Sequence, residues 1–138
     1  MSPQQQAPFA QRALQAVFDL HVVLEAWFNA SGAEDVATVT NHFAENFRIV
    51  SPLGKVTPFA DFARALPNLR GARPGLKMEI AEAEAIWAND ACAAVAYQEK
   101  QTLGTTVTLR FSTALLIADP KRPVPQWLHL QETWLEQP

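Results

Sequence analysis

Between Thr105 and Leu135 the chain is built largely of residues that favour strands, and this stretch constrains the fold more than any other. Thr105 to Ala118 is dense in β-branched and large apolar side chains, Asp119-Pro-Lys-Arg-Pro-Val-Pro125 interrupts with turn chemistry, and Trp127 to Leu135 returns. Thr106, Thr108, Arg110 and Ser112 alternate with Val107, Leu109, Phe111 and Thr113, giving a strand one wetter and one drier face. Two long antiparallel strands closing a curved sheet are expected here.

Upstream, Pro8 to Asn29 carries a helical pattern. Leu14, Val17, Leu20, Leu24 and Phe28 recur at steps of three and four, opposite a stripe of Arg12, Gln15 and Asp19. His21 falls on the apolar side and is a pocket candidate. Ser31-Gly-Ala-Glu34 has the form of a capping box for a short second helix, roughly Gly32 to Phe43. Phe47-Arg-Ile-Val50 reads as a brief strand and Ser51-Pro-Leu-Gly54 as a turn. Thr57-Pro58 reads as the cap and first residue of a third helix, which Pro67 is expected to end near Leu66. Lys77 to Trp87 and Ala91 to Thr102 are expected strands separated by an Asn89-Asp90 turn. The order is three helices, the last two flanking a short strand, and then about four long strands: an α+β domain.

The composition sets limits on function. With 138 residues, 49% hydrophobic and 18% charged, the chain suits one domain over residues 1–138 beyond a flexible tail at 1–8. A net charge of -3 argues against nucleic acid or an anionic membrane as the main partner. The opening Met1-Ser-Pro-Gln-Gln-Gln lacks the basic and apolar regions of a signal peptide, and no apolar run approaches the ~20 residues of a membrane span. The lone Cys92 rules out an internal disulfide and fits a reducing, cytoplasmic setting. His21, His42, His129 and Cys92 show no metal-ligand spacing, and no glycine-rich phosphate loop or Ser-His-Asp order is present. No cofactor is implied.

The element order, Phe43-Ala-Glu-Asn-Phe-Arg-Ile-Val-Ser-Pro-Leu-Gly54 and the closing Trp127-Leu-His-Leu-Gln-Glu-Thr-Trp134 together resemble the nuclear-transport-factor-2-like superfamily, which includes SnoaL-like polyketide cyclases, ketosteroid isomerases and the association domain of calmodulin-dependent kinase. Asn89 to Tyr97 also resembles the corresponding hairpin of that association domain. The resemblance implies a cystatin-like cone: a curved antiparallel sheet wrapped round the first helix, with a cavity between them and pairing through the outer sheet face. It does not imply steroid isomerisation. Ser51 stands where those isomerases place their carboxylate base, Leu24 or Trp27 falls where they place a tyrosine donor, and Thr113 falls where they place an acid. SnoaL-like cyclases use an acidic residue near the end of the last strand, and Glu132 is the nearest match.

Strand parity groups His129 with Trp127 and Gln131, and Glu132 with Leu130 and Trp134. Two functional classes follow. The first is a small-molecule enzyme of the cyclase, isomerase or dehydratase kind. In it His21, His129 and Glu132 do the acid/base work, Trp27, Phe28, Trp87 and Trp127 line the cavity, Tyr97, Glu99 and Gln131 contribute polar contacts, and Arg48 or Arg110 holds an anionic group. The second is a non-catalytic ligand-binding or assembly module, homodimeric through the sheet. A half-buried structural role is the alternative for each histidine and for a Glu99–Arg110 cross-strand pair. Glu82 and Glu84 are expected to face solvent.

Overall fold

The apolar stripe of the first twenty helical residues decides how the rest packs. In the computed structural model, which describes residues 7–138, helix α1 (Phe9–Phe28) buries Phe9, Ala13, Ala16, Val17, Leu20, His21 and Trp27, while Gln15 and Asp19 stay outside. The tail expected over residues 1–8 falls mainly outside the described residues; Pro8 already sits at the start of α1. The other elements are α2 (Ala37–Thr40), β1 (Phe43–Val50), β2 (Val56–Pro58), α3 (Phe59–Leu69), β3 (Lys77–Ala88), β4 (Cys92–Leu103), β5 (Thr106–Ile117) and β6 (Gln126–Trp134). No helix among the described residues is long and apolar enough to cross a membrane.

The three helices pack on one curved, unclosed sheet of six strands in the order β2-β1-β6-β5-β4-β3. The last four strands form the expected meander. Two features differ from expectation. The brief strand before Ser51 runs from Phe43 and lies parallel to β6, so the sheet is mixed, and Val56–Pro58 adds a sixth strand antiparallel to β1. Thr57 is therefore engaged in the sheet ladder opposite Ile49 rather than capping α3.

Local signals were overridden at two more places. Ser31 donates to the Ala26 carbonyl at the end of α1 instead of capping a new helix, and the Asp35 carboxylate accepts the Ala37 amide at 2.9 Å, which leaves α2 only four residues. Helix α3 passes through Pro67 to Leu69. A proline in the last turn forfeits one backbone bond, and the adjacent Leu66 carbonyl is taken by the Arg70 amide and the Trp27 indole N–H at 2.9 Å.

Bulges supply the curvature. β3 carries two register shifts, around Ala81/Glu84 and Ala85/Trp87, with Glu82 in the left-handed region at φ 52°. In β6, Leu115 pairs with His129 and Leu116 with Trp127, so Leu128 is an extra residue. The core lies between α1 and the concave face, where Ala13, Val17 and Leu20 meet Val95, Tyr97, Ala114, Leu116 and Trp127.

Leu20 is 2% exposed and Leu53 86% exposed. We expect Leu20→Ala to cost about 2–5 kcal/mol in urea unfolding, and Leu53→Ala to stay within about 0.5 kcal/mol.

Candidate functional site

Inside the cone, strand register does the positioning. Residues directly opposite on antiparallel strands share a face. Across β4, β5 and β6, Tyr97, Ser112 and Glu132 therefore stand side by side in one row, and Glu99, Arg110 and Trp134 in the next. Alternation along β4 adds Gln101 to the same face, and α1 brings His21 down onto it.

His21 donates from Nδ1 to the Val17 carbonyl one turn back at 2.7 Å, and its Nε2 lies 2.9 Å from Glu99 Oε1. The other Glu99 oxygen accepts from Gln101, whose amide oxygen accepts from Arg73 Nη1 at 2.9 Å. A second pair lies alongside: Arg110 Nη1 donates to Glu132 Oε2 at 3.1 Å, with its guanidinium 4.8 Å from the centre of the Trp134 ring. The Tyr97 and Trp127 rings close round His21, at 5.4 and 6.1 Å between centroids. Trp127 Nε1 and Arg110 Nε are buried with no partner in the protein, and the buried Tyr97 hydroxyl and Ser112 Oγ, neighbours in one row, have none beyond each other. Buried polar groups are normally satisfied, so several orphans on one interior wall mark it as unusual.

Thus His21, Tyr97, Glu99, Arg110, Trp127 and Glu132 are brought together. His129, Gln131 and Arg48 are not. The extra residue at Leu128 reverses the parity, so Trp127 faces inward with Leu130 and Glu132 while His129 faces out. There Arg48 Nε donates to His129 Nδ1 at 3.3 Å, and Nε2 meets Gln131 Oε1 at 3.3 Å. A pocket holding both His21 and His129 is not formed. Glu99 and Arg110 are direct register partners, yet each takes a different ionic partner. Trp27 lies beneath Arg70 at 5.5 Å and Phe28 beneath Arg73 at 5.8 Å, both toward the end of α1. Trp87, expected to line the interior, is 56% exposed and shares the outer face with Ala94, as Phe111, 42% exposed, does with Gln98. Glu82 and Glu84 are exposed, Glu82 accepting from Gln98.

Three participants went unread in the sequence. Gln101 and Ser112 were available by parity with Glu99 and Arg110. Arg73, in an irregular loop, carried no periodic signal.

No protein-family model and no curated protein matches the chain. An NTF2-like protein of unknown function from Pseudomonas aeruginosa superposes with a TM-score of 0.83 at 29% identity, over 90% of this chain and 98% of that one. The chain is an NTF2-like protein. The fold extends to the CaMKII hub of S. rosetta (TM-score 0.73, 14% identity, 94% and 98% covered) and the association domain of C. elegans CaMKII (0.66, 15%, 90% and 97%).

The interior of this NTF2-like cone separates its two carboxyl groups electrostatically. Burial alone would raise Glu99, but the hydrogen bond and charge of His21, with Gln101 and Arg110, hold it below its ordinary value. Burial also works against a charged His21, and the Glu99 hydrogen bond and charge overcome it, so the imidazole is raised. Glu132 goes the other way: burial raises it, and the Arg110 charge, opposed by Glu99, does not fully restore it. Tyr97 is pushed well up by burial and by the charges of Glu99 and Glu132, so it stays a phenol.

The His21–Glu99 pair sets a pH dependence. A raised imidazole stabilises the fold below its unfolded value and loses that contribution as pH rises through the folded one; a lowered carboxyl stabilises above its unfolded value and loses it as pH falls. The pair therefore contributes most between roughly pH 4.5 and 6.5. Glu132, raised, contributes fully below the ordinary glutamate value and loses that contribution as pH rises through its folded one. We expect the urea midpoint to fall from pH 6 to pH 9 in the native protein and to fall less in His21→Gln.

Proposed function

We propose that the cone interior is an acid–base site acting on a small organic molecule, by proton transfer of the kind used in cyclisation, isomerisation or dehydration. The observation that carries this is the pairing of two buried carboxyl groups pushed in opposite directions with unpartnered donors on the same wall. Groups whose environments push their pKa values apart take different parts: the lowered one stays charged and the raised one is free to carry a proton.

In this scheme Glu132 handles the proton. Its carboxylate form takes a proton from a carbon beside a carbonyl, and the resulting acid returns it elsewhere on the same molecule. The Tyr97 hydroxyl and Trp127 Nε1 donate to the oxygen on which negative charge develops. Glu99 keeps His21 as imidazolium, so a fixed positive charge stands beside that oxygen and survives the reaction. The role given to Glu132 agrees with the one implied by the resemblance to SnoaL-like cyclases.

The test uses two neutral ketones, butanone and cyclohexanone, incubated with protein in D2O. Exchange at the carbons beside the carbonyl, followed by proton NMR, is expected above the buffer rate and to fall at least tenfold in Glu132→Gln. Exchange at the buffer rate, or exchange unaffected by Glu132→Gln, would count against the scheme.

A second reading has its own support. Trp87 and Phe111 are exposed on the outer face of the sheet, and solved structures described as a hub and an association domain share the fold. We propose that this face pairs two copies of the chain. Sedimentation at micromolar concentration is expected to give a dimer for the native chain and a monomer for Phe111→Glu. A monomeric native chain would remove this reading.

A further inference from the structure

We propose that the molecule taken by this site carries a carboxylate, and that the carboxylate docks on the free edge of Arg110 with Arg73 beside it. This rests on the cone interior being a pocket, and it adds a substrate class.

Arg110 is held from two sides. Nη1 is committed to Glu132 at 3.1 Å, and the guanidinium carbon lies over the Trp134 ring, 4.8 Å from its centre. With Nη1 committed, the side chain, 14% exposed, keeps one edge free, made by Nε and Nη2. Nε is buried and has no partner in the protein. Such an edge presents two parallel N–H groups, which match the two oxygens of a carboxylate. Its orientation is already fixed by Glu132 and Trp134, so little side-chain freedom remains to be lost when an anion binds.

Arg73 is the second cation. Its hydrogen-bond partner is the neutral amide of Gln101, its guanidinium lies 5.8 Å from the centre of the Phe28 ring, and it forms no salt bridge among the described residues. Gln101 stands opposite Thr108, one inward row from the Glu99–Arg110 row, so the row that Arg73 reaches from its loop neighbours the row that carries Arg110, roughly 7 Å away along the strands.

The local charge has the right sign. Glu99 is balanced by His21 and Glu132 by Arg110, which leaves Arg73 uncompensated in a chain whose net charge is -3. An anion is therefore attracted to this end of the cone and repelled by the molecule as a whole. One planar edge and one flanking cation suit a carboxylate better than a phosphate, whose three oxygens call for more donors. The Trp127 and Tyr97 rings and Leu130, deeper in the cone, give the organic body an apolar wall.

The test observes Arg110 itself, through its Nε–H resonance in proton–nitrogen NMR, assigned by its loss in Arg110→Lys. Acetate and benzoate are titrated at constant ionic strength, with acetamide and benzamide as neutral matches. The expected result is a saturable downfield shift with the two acids and none with the amides. Benzoate affinity should fall at least tenfold in Arg110→Lys, with near-UV circular dichroism unchanged, and several-fold in Arg73→Gln, a loop change outside the core. No shift with either acid, equal shifts with acids and amides, or unchanged benzoate affinity in Arg110→Lys would overturn the proposal. If the acids fail while the neutral ketones still exchange through Glu132, the carboxylate assignment falls and the acid–base site stands. If both fail, both fall.

Discussion

One buried ion pair constrains the rest of the structure. His21 and Glu99 are 6% and 3% exposed at the side chain and meet in the interface between helix α1 and strand β4. Taking two charges out of water is costly, and removing one partner of such a pair costs about 3–5 kcal/mol because the other is left buried and alone. The fold must therefore satisfy both groups completely. It does so with the Val17 carbonyl on one side and Gln101 on the other. The pair also sets the roll of α1 on the sheet. With His21 facing β4, Val17 and Leu20 fall into the core and Phe18 and Val22 face away.

From that tie the site follows by register. Two residues before Glu99 along β4 is Tyr97, opposite Tyr97 is Ser112, and opposite Ser112 is Glu132. The same rows that bring Glu132 close to Glu99 give it a different environment: Arg110 as a single ionic partner, and a neighbouring negative charge. Two glutamates on one wall thus hold their protons with different strength for reasons the backbone dictates. The bulge at Leu128 completes the arrangement by turning the Trp127 indole inward.

Much of this was legible in the sequence where a period could be followed without interruption. The three- and four-residue spacing of α1 placed His21 on the buried side, and alternation in β5 put Ser112 with Arg110. Alternation failed in β6 because a bulge inserts one residue and reverses every side chain beyond it. His129 and Trp127, assigned to one face, lie on opposite faces for that reason. Short-range signals failed where tertiary contacts outcompeted them: Ser31 capped backwards onto α1, Thr57 joined a strand, and Pro67 was accommodated beside a carbonyl that Trp27 satisfies. The pairing of β1 with β6, and the reach of Arg73 to Gln101, join positions far apart in the chain. Nothing local specifies them.

The measurement that bears most directly on the acid–base site is a pH titration of the Glu99 and Glu132 side-chain carboxyl carbons by carbon-13 NMR, each assigned by its Gln variant. The two are expected to titrate on opposite sides of an ordinary glutamate, Glu99 below and Glu132 above, with Glu99 moving up in His21→Gln. Two carboxyls that titrate together at the ordinary value, or a Glu99 indifferent to His21, would contradict the division between a Glu99 held ionised beside His21 and a Glu132 that takes and returns the proton, on which the proposed chemistry depends.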